Sequence, residues 1–244
     1  MMVKTKLNGK YDLILPEHRA ARPEWITGWE VERIEAMMAD LSAGDTVFDI
    51  GAEEGDISAL LAQKIGPTGR MVLFEPNPKV WPNIKAIWEA NELRQPCGYY
   101  VGFASDVTDE NPPNLNVDQE IKDGWPVCAY GPLIGDHGFR HLAQEADATP
   151  QITIDEYCER TGIYPTLITM DIEGAELRAL QGARNVLATC KPVVYVSVHP
   201  PVLKELYNST PAEIDNYMYS LGYRRDRLAT DHEVHERFIW DEAR

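Results

Sequence analysis

Several features of secreted, membrane or metal-cluster proteins are missing from the chain. Its 244 residues include only four cysteines, and none of them forms a C-x-x-C pair, so we expect reduced thiols in a reducing compartment. No apolar run reaches the roughly 18 residues that a membrane-spanning helix needs. No hydrophobic segment with a cleavage site stands at the N-terminus. These absences predict a soluble, cytoplasmic protein.

Positive charge is also scarce. Lys and Arg total 23 against 39 Asp and Glu, which gives a formal net charge of −16. Such an acidic surface repels nucleic-acid backbones and anionic membranes, so neither is an expected partner. The one compact basic cluster, Tyr223–Arg227, is interpreted as a solvated turn or strand. With 44% hydrophobic residues, the chain can bury the core of one α/β domain.

The apolar pattern predicts strands that alternate with helices after an irregular arm of about 25 residues. Strands are predicted at 46–50, 71–75, 98–103, 166–170, 192–198, 223–229 and 234–240. Helices are predicted at 25–41, 55–65, 78–92, 153–162, 174–188 and 210–221, the last with a capping box formed by Thr210 and Glu213. Such alternation favours a mostly parallel sheet with helices on both faces and a C-terminal antiparallel hairpin.

Residues 107–150 interrupt this rhythm with many Gly, Pro and Asp residues and few periodic apolar positions. A loop of this length inside a compact domain is usually functional or disordered. We interpret it as an insertion that covers a substrate, with a passive excursion as the alternative.

The most informative motif is a glycine turn followed by a distant acid. The apolar strand that ends at Ile50 runs into Gly51-Ala52-Glu53-Glu54-Gly55, and Glu75 ends the next strand 24 positions after Gly51. This is the first half of a nucleotide-binding βαβ unit, in which the acid accepts hydrogen bonds from the ribose hydroxyls. The alternative is an ordinary strand–loop–helix turn.

The composition of this loop indicates which nucleotide it binds. A dinucleotide fingerprint has a middle glycine, whereas this loop has Glu53 and Glu54. Carboxylates at a helix N-terminus repel a phosphate placed there. A ligand with a ribose, a cationic centre and no phosphate fits better, and S-adenosylmethionine has that constitution.

Polar residues end five neighbouring strands, where ligands of open α/β sheets collect. They are Asp49 with Gly51, Glu75, Ala104-Ser105-Asp106, Asp171, and Ser197 with His199. Asp171 and His199 are the predicted catalytic residues, as acceptors of a substrate proton. Asp171 with Glu173 also offers hard oxygen ligands that suit Mg²⁺, although the sequence does not settle whether a metal is used. His232 and His235 are interpreted as surface residues.

Five segments together resemble the FkbM-type methyltransferases. They are Phe48-Asp-Ile-Gly-Ala-x-x-Gly55, Phe74-Glu-Pro-Asn77, Thr153-Ile-Asp-Glu-Tyr157, Asp171-Ile-Glu-Gly-Ala-Glu176 with Gly182-Ala183, and Val198-His-Pro200. The resemblance covers about residues 45–225, and the Asp-x-Glu-Gly-Ala-Glu segment is its most specific part.

The resemblance implies a Rossmann-like, seven-stranded methyltransferase fold, with residues 1–41 as an arm and helix and 42–244 as one methyltransferase domain. It also implies O-methylation, with S-adenosylmethionine, of a hydroxyl on a sugar, glycan or small metabolite. Asp49, Gly51, Ala52 and Gly55 would line the methionine side, Glu75 would hold the ribose, and Ala104 and Ser105 would flank the adenine. Glu53 and Asn77 complete the predicted cofactor-binding set.

Three departures limit this carry-over. Glu53 and Glu54 stand where the family usually has Asn and an apolar residue, Thr169 where it often has Lys, and Ser197 where it commonly has Glu. Two other functions therefore stay open: a nicotinamide-dependent oxidoreductase, and a non-catalytic module that binds S-adenosylmethionine.

Overall fold

A seven-stranded sheet organises the protein. The computed structural model describes residues 1–23, 28–111, 117–130 and 149–242, with the backbone alone for 117–120 and 127–130. Its strands are β1 (Met2–Leu7), β2 (Tyr11–Pro16), β3 (Thr46–Ile50), β4 (Arg70–Phe74), β5 (Gly98–Tyr100), β6 (Phe103–Ala104), β7 (Val117–Lys122), β8 (Trp125–Tyr130), β9 (Gln151–Ile152), β10 (Leu167–Asp171), β11 (Val193–Val198), β12 (Tyr223–Thr230) and β13 (Val234–Trp240). Its helices are α1 (Glu17–Ala20), α2 (Val31–Asp40), α3 (Asp56–Ile65), α4 (Trp81–Ala90), α5 (Ile154–Thr161), α6 (Glu176–Gln181), α7 (Arg184–Thr189), α8 (Pro200–Tyr207) and α9 (Pro211–Ser220).

The sheet order is β12-β13-β11-β10-β3-β4-β5. The five strands from β5 to β11 pair in parallel, whereas β13 is antiparallel to both β11 and β12. The result is an α/β fold with a mixed sheet, and the last two strands form the expected hairpin at one edge.

Helices cover both faces of the sheet, because successive side chains of a strand point to opposite sides. Val47 packs into a buried cluster with Ile34 and Ile84, which come from α2 and α4. Its neighbour Phe48 packs into the opposite cluster with Leu180 and Ile214, which come from α6 and α9. The four parallel strands β3, β4, β10 and β11 are thus buried from both sides, which explains their nearly continuous apolar sequences.

The irregular N-terminal arm is a wrong prediction. Residues 2–16 form an antiparallel hairpin, β1 with β2, and Leu7, Leu13 and Leu15 are fully or almost fully buried. The Asn91 side chain accepts a hydrogen bond from the Ile14 N–H (2.8 Å) and donates one to the Ile14 carbonyl (2.7 Å). The hairpin is therefore fastened to the end of α4 as well as packed against the core.

Other elements also differ from the predicted ones. The helix predicted at 174–188 is two helices, α6 and α7, and Asp155 accepts the N–H groups of Asn185 and Val186 in the first turn of α7. The strand predicted at 98–103 is divided into β5 and β6. Helix α8 was not predicted, although Pro200 and Pro201 occupy its first turn, where proline is well tolerated. The capping box of Thr210 and Glu213 is confirmed.

Much of the interruption at 107–150 lies outside the described residues, namely 112–116 and 131–148. Its described central part is a hairpin, β7 with β8. The Trp125 ring of this hairpin packs against Trp88 and Tyr99, with centroid distances of 6.1 Å and 5.5 Å. The role of the insertion in covering a substrate stays a prediction. Over the described ranges, no helix has both the length and the apolar character needed to span a membrane.

Candidate functional site

A cavity of about 480 Å³ opens at the carboxyl ends of β3, β4 and β10. Of the predicted site residues, it is lined by Asp49, Gly51, Ala52, Glu53, Glu75, Asn77, Ala104 and Asp171. Gly55, Ser105 and His199 are not among its lining residues. Gly55 instead begins α3 in a left-handed conformation, and the Ser105 hydroxyl donates a hydrogen bond to Asp106 at 3.1 Å.

Gly51 allows β3 and β10 to approach each other at the base of the cavity. Its φ is +89°, a conformation that residues with a Cβ rarely adopt. A Cβ there would lie 2.1 Å from the carbonyl oxygen of Asp171. The glycine is therefore required both by the backbone conformation and by the available space.

Glu75 is a buried carboxylate that two backbone groups hold in place. The N–H groups of Glu53 and Asn77 donate to its two oxygens at 2.9 Å and 2.7 Å. Burial raises the pKa of Glu75 to about 8, although these two hydrogen bonds act in the opposite direction. Since a carboxylate oxygen has two lone pairs, each oxygen can accept a further hydrogen bond from a ligand in the cavity.

Basic side chains of the N-terminal arm contact the acidic side chains of the glycine loop and of the start of α3. The buried Arg19 donates to both oxygens of Glu53 at 2.8 Å and, through Nε, to Asp56 at 2.5 Å. His18 Nε2 lies 2.7 Å from the carboxylate of Glu54. Burial raises the pKa of Asp56 to about 6, and Arg19 opposes that shift. The sequence argument that these charges repel a phosphate therefore loses force.

Asp49 and Arg33 lie next to each other at the base of the cavity. Burial raises the pKa of Asp49 to about 6, while a hydrogen bond from the Ser58 hydroxyl and the charge of Arg33 lower it. Arg33 is buried and donates to Thr169 Oγ1 at 2.7 Å and to Glu30, and its Nη1 lies 3.7 Å from Asp171 Oδ2. An arginine of α2 thus supplies positive charge beside Thr169, where a lysine was expected from the resemblance.

His199 lies among four carboxylates rather than in the cavity wall. Its Nδ1 is 3.0 Å from Glu176 Oε1, and its Nε2 is 3.1, 3.4 and 3.5 Å from Glu233, Glu173 and Asp171. Burial lowers the pKa of His199, but the surrounding carboxylates, Glu176 and Glu233 foremost, raise it to about 11. This disfavours His199 as the group that accepts a substrate proton.

Asp171 is the predicted catalytic residue that does reach the cavity. It ends β10 with 30% of its side chain exposed. Burial and the nearby charges of Glu233 and Glu30 raise its pKa, and Arg33 and His199 oppose them. A carboxyl group with a raised pKa at a cavity wall can exchange a proton with a bound hydroxyl.

The sequence analysis missed several residues of the cavity wall. They are Arg19, Arg22, Trp29, Glu30, Arg33, His232 and Glu233. Arg33 lies one helical turn before Met37 on the apolar stripe of α2, a position that could have marked it as buried. For the others, the sequence carries no comparable pattern.

The interpretation of both histidines of the last hairpin as surface residues is wrong for His235 and incomplete for His232. His235 is fully buried, and its ring nitrogens lie 3.1 Å from Ser197 Oγ and from Asp231. His232 is partly exposed but lines the cavity and stacks against Trp29 at a centroid distance of 4.6 Å.

Comparison with known families identifies the chain. The model of the methyltransferase FkbM domain matches residues 49–225. The chain belongs to the FkbM methyltransferase domain family. The predicted family is confirmed, and this match covers the glycine loop, Glu75 and the strand tip at Asp171. No curated protein sequence matches the chain significantly.

Solved structures agree with the FkbM assignment at the level of fold. A methyltransferase FkbM from Methylobacillus flagellatus KT has 19% identity and a TM-score of 0.53, over 82% of this chain and 44% of that chain. A precorrin-6y C5,15-methyltransferase from Geobacter metallireducens GS-15 has 14% identity and a TM-score of 0.50, over 91% of this chain and 94% of that one. The chain therefore spans less than half the length of the Methylobacillus protein.

Proposed function

We propose that this FkbM domain transfers a methyl group from S-adenosylmethionine to a hydroxyl of a sugar, a glycan or a small metabolite. The observation that carries the proposal is Glu75, a buried carboxylate that two backbone N–H groups orient at the wall of the cavity. A carboxylate in this position of a βαβ unit suits the two hydroxyls of a ribose.

The lining of the cavity suggests where the rest of the cofactor lies. Gly102 and Ala104 line the cavity on the side of β6, where we place the adenine ring. Asp49, Glu173 and Asp171 give the opposite side an acidic character that suits a sulfonium and an ammonium group. S-adenosylmethionine, when bound, supplies an electrophilic methyl group, so the protein's main task is to align the acceptor oxygen. Alignment of this kind can contribute about 7–11 kcal/mol to lowering the barrier.

Asp171 is the residue that we propose as proton acceptor. Strand β3 separates β4 from β10, so the tips that carry Glu75 and Asp171 are two strand spacings apart, on the order of 10 Å. An acceptor hydroxyl at Asp171 would thus lie beyond the ribose-binding carboxylate, on the side where the methyl group is expected. General-base assistance typically contributes about 10²–10⁴-fold in rate. His199 is a positioning residue in this proposal, because it contacts Asp171 from outside the cavity wall.

The domain assignment and the acceptor class are part of the same proposal. Residues 42–244 would form the methyltransferase domain, and residues 1–41 would close one side of its cofactor loop through Arg19. The net charge of −16 favours a neutral or cationic acceptor over a nucleic acid.

A binding experiment tests the cofactor first. S-adenosylhomocysteine is titrated calorimetrically into the wild type, Glu75→Ala and Glu54→Ala. Glu54 is a matched control, since it is an acid of the same loop that is not among the described lining residues of the cavity. At pH 9, where Glu75 is mostly ionised, we expect Glu75→Ala to lose about 1.5–3 kcal/mol of binding free energy, because hydrogen bonds to a charged group are worth that much. Unchanged tight binding by Glu75→Ala would contradict the ribose role.

Turnover then tests the reaction. Asp171→Asn should bind S-adenosylhomocysteine but lose about 10²-fold or more in methyl transfer to hydroxyl acceptors. Full activity of this variant would remove Asp171 from the mechanism. Binding of cofactor without transfer to a broad acceptor panel would favour the non-catalytic module, and a thermal shift with NAD alone would favour the oxidoreductase.

A further inference from the structure

Three side chains beside the cavity, two of which line it, bring ligand atoms together from three separate elements. Asp171 ends β10, His199 directly precedes α8, and Glu233 lies in the turn between β12 and β13. One ligand atom from each lies within 4.8 Å of the other two. Two of these separations are 3.1 Å, from His199 Nε2 to Glu233 Oε1, and 3.5 Å, from His199 Nε2 to Asp171 Oδ1.

Two of these side chains are buried and have polar atoms without hydrogen-bond partners in the described structure. The side chains of His199 and Glu233 are only 9% and 7% exposed. His199 Nε2 and Glu233 Oε2 both lack a hydrogen-bond partner of good geometry. Leaving such atoms unsatisfied is costly, so each of them indicates a partner that the protein side chains do not provide.

His199 is oriented in the way that is usual for metal-binding histidines, with a carboxylate next to the ring nitrogen that faces away from the site. Its Nδ1 lies 3.0 Å from Glu176 Oε1, which in turn accepts the N–H of Gly174 at 2.8 Å. Glu176 is fully buried, so this contact fixes the ring and directs Nε2 toward Asp171 and Glu233. A carboxylate on the far nitrogen of a metal-binding imidazole orients the ring and strengthens it as a ligand.

The surrounding charge also favours a cation. Asp171, Glu173, Glu176 and Glu233 all lie within 3.5 Å of the His199 ring nitrogens. The nearby groups that can carry positive charge are Arg33, which is engaged with Glu30 and Thr169 and lies 3.7 Å from Asp171, and His232, whose Nε2 lies 2.9 Å from Glu233 Oε1. Negative charge therefore exceeds positive charge at this end of the cavity.

We propose that Asp171, His199 and Glu233 bind a divalent cation of the Mn²⁺ type. One imidazole nitrogen and two carboxylate oxygens form a mixed ligand set. Mg²⁺ prefers oxygen ligands alone, so this set suits Mn²⁺ better than it suits Mg²⁺. With metal–ligand distances of about 2.1 Å, neighbouring ligands of an octahedral site are about 3 Å apart, close to the separations observed. The remaining coordination positions would face the cavity.

The proposal differs from the pair expected from the sequence, because Glu233 rather than Glu173 joins Asp171. Binding of the cation stands by itself, whereas a catalytic use of it rests on the proposed function. In that use the cation would hold and acidify the acceptor hydroxyl beside Asp171. A proton and the cation compete for the same lone pair of His199, so they exclude each other there.

The test begins with removal of metals from the full chain with a chelator. MnCl₂ is then titrated into the protein, and binding is measured by calorimetry and by the decrease of the free Mn²⁺ signal in electron paramagnetic resonance. We expect one site per chain in the wild type. Glu233→Gln and Asp171→Asn should each weaken binding at least about tenfold. Glu173→Gln is the matched control, a neighbouring carboxylate outside the ligand group, and should change the affinity by less than about threefold.

Three outcomes would overturn the proposal. They are no Mn²⁺ binding by the wild type up to about 1 mM, an equal loss in Glu173→Gln, or retained binding in both ligand variants. If Glu233→Gln does not fold, the affinity of Asp171→Asn decides the test, because Asp171 is partly exposed. S-adenosylhomocysteine binding, measured in chelator in parallel, separates failure of this site from failure of the proposed function.

Discussion

Arg19 donates two parallel hydrogen bonds, both 2.8 Å long, to the carboxylate of Glu53, which lies 34 residues later in the chain. Paired hydrogen bonds between a guanidinium and a carboxylate fix the geometry of both groups. Arg19 belongs to α1 and Glu53 to the glycine loop, so the N-terminal arm is tied to the loop that borders the cavity. The arm is therefore part of the candidate site.

Arg19→Ala should lower the free energy of unfolding by about 3–5 kcal/mol, because it leaves the buried Asp56 without its cation. Arg22→Ala is the matched control, since Arg22 is 39% exposed and lies 3.8 Å from Glu53, and it should cost less than about 1 kcal/mol. Urea denaturation at pH 8 measures both. Equal and small losses would show that the Arg19 contacts contribute little to stability.

A comparison of the stabilities of Gly51→Ala and Gly44→Ala distinguishes the cost of backbone strain from the cost of a steric clash. Both glycines have φ near +90°, but a Cβ on Gly44 would meet only Thr68 Oγ1 at 3.7 Å. We expect Gly44→Ala to cost about 1–2 kcal/mol through its backbone conformation alone. Gly51→Ala should cost about 1–3 kcal/mol more, because the new methyl group displaces the tip of β10.

Denaturant midpoints and binding of S-adenosylhomocysteine are the measurements for the two glycine variants. Gly51→Ala should also weaken binding, since Gly51 lines the cavity. If the two variants lose the same stability, the close approach to Asp171 does not constrain this position.

Because the pKa of Glu75 is raised, we expect nucleoside binding to depend on pH. Ribose hydroxyls donate hydrogen bonds, and the ionised carboxylate is the stronger acceptor. With its pKa raised to about 8, Glu75 is mostly protonated at pH 7 and mostly ionised at pH 9. Binding of 5′-methylthioadenosine, which lacks the amino-acid part, should therefore be about tenfold tighter at pH 9 than at pH 7. Calorimetry over this range checks it, and Glu75→Gln should remove the dependence.

The same shift has a consequence for stability. Because the pKa of Glu75 in the folded protein lies above the unfolded value of 4.5, the folded state binds more protons between the two values. The contribution of Glu75 to stability is then largest below about pH 4.5 and is lost as pH rises through about 8. A profile of Glu75→Gln that matches the wild type would contradict this assignment.

Asn91→Ala should loosen the N-terminal hairpin. It removes the partner of both backbone groups of Ile14 and should cost about 1–3 kcal/mol for groups left unsatisfied. Amide hydrogen exchange at Ile14 should become faster while exchange in β3 stays slow. Asn185→Ala, on the other side of the sheet, is the control, and equal exchange at Ile14 in both variants would show that the amide contact does not hold the hairpin.

Local patterns were sufficient for the elements of the sheet. Strand β3 and the hairpin of β12 and β13 follow the predicted boundaries within one residue, because buried parallel strands and a closing edge pair have distinct apolar patterns. The hairpin of β1 and β2 was missed because two six-residue strands with one buried face resemble an irregular segment. The break between α6 and α7 was missed because the carboxylate that accepts the first-turn N–H groups of α7 belongs to Asp155, 30 positions before Asn185 in the chain.

The sequence by itself determined the succession along the chain of the seven strands of the main sheet, the glycine turn and the acid that follows β4, because spacing along the chain specifies them. Tertiary structure alone decided which polar groups meet: Arg19 with Glu53 and Asp56, Arg33 with Thr169, and His199 with Glu233. Such pairs join residues up to 136 positions apart. Their energies depend on burial and distance, which residue types and local spacing do not encode.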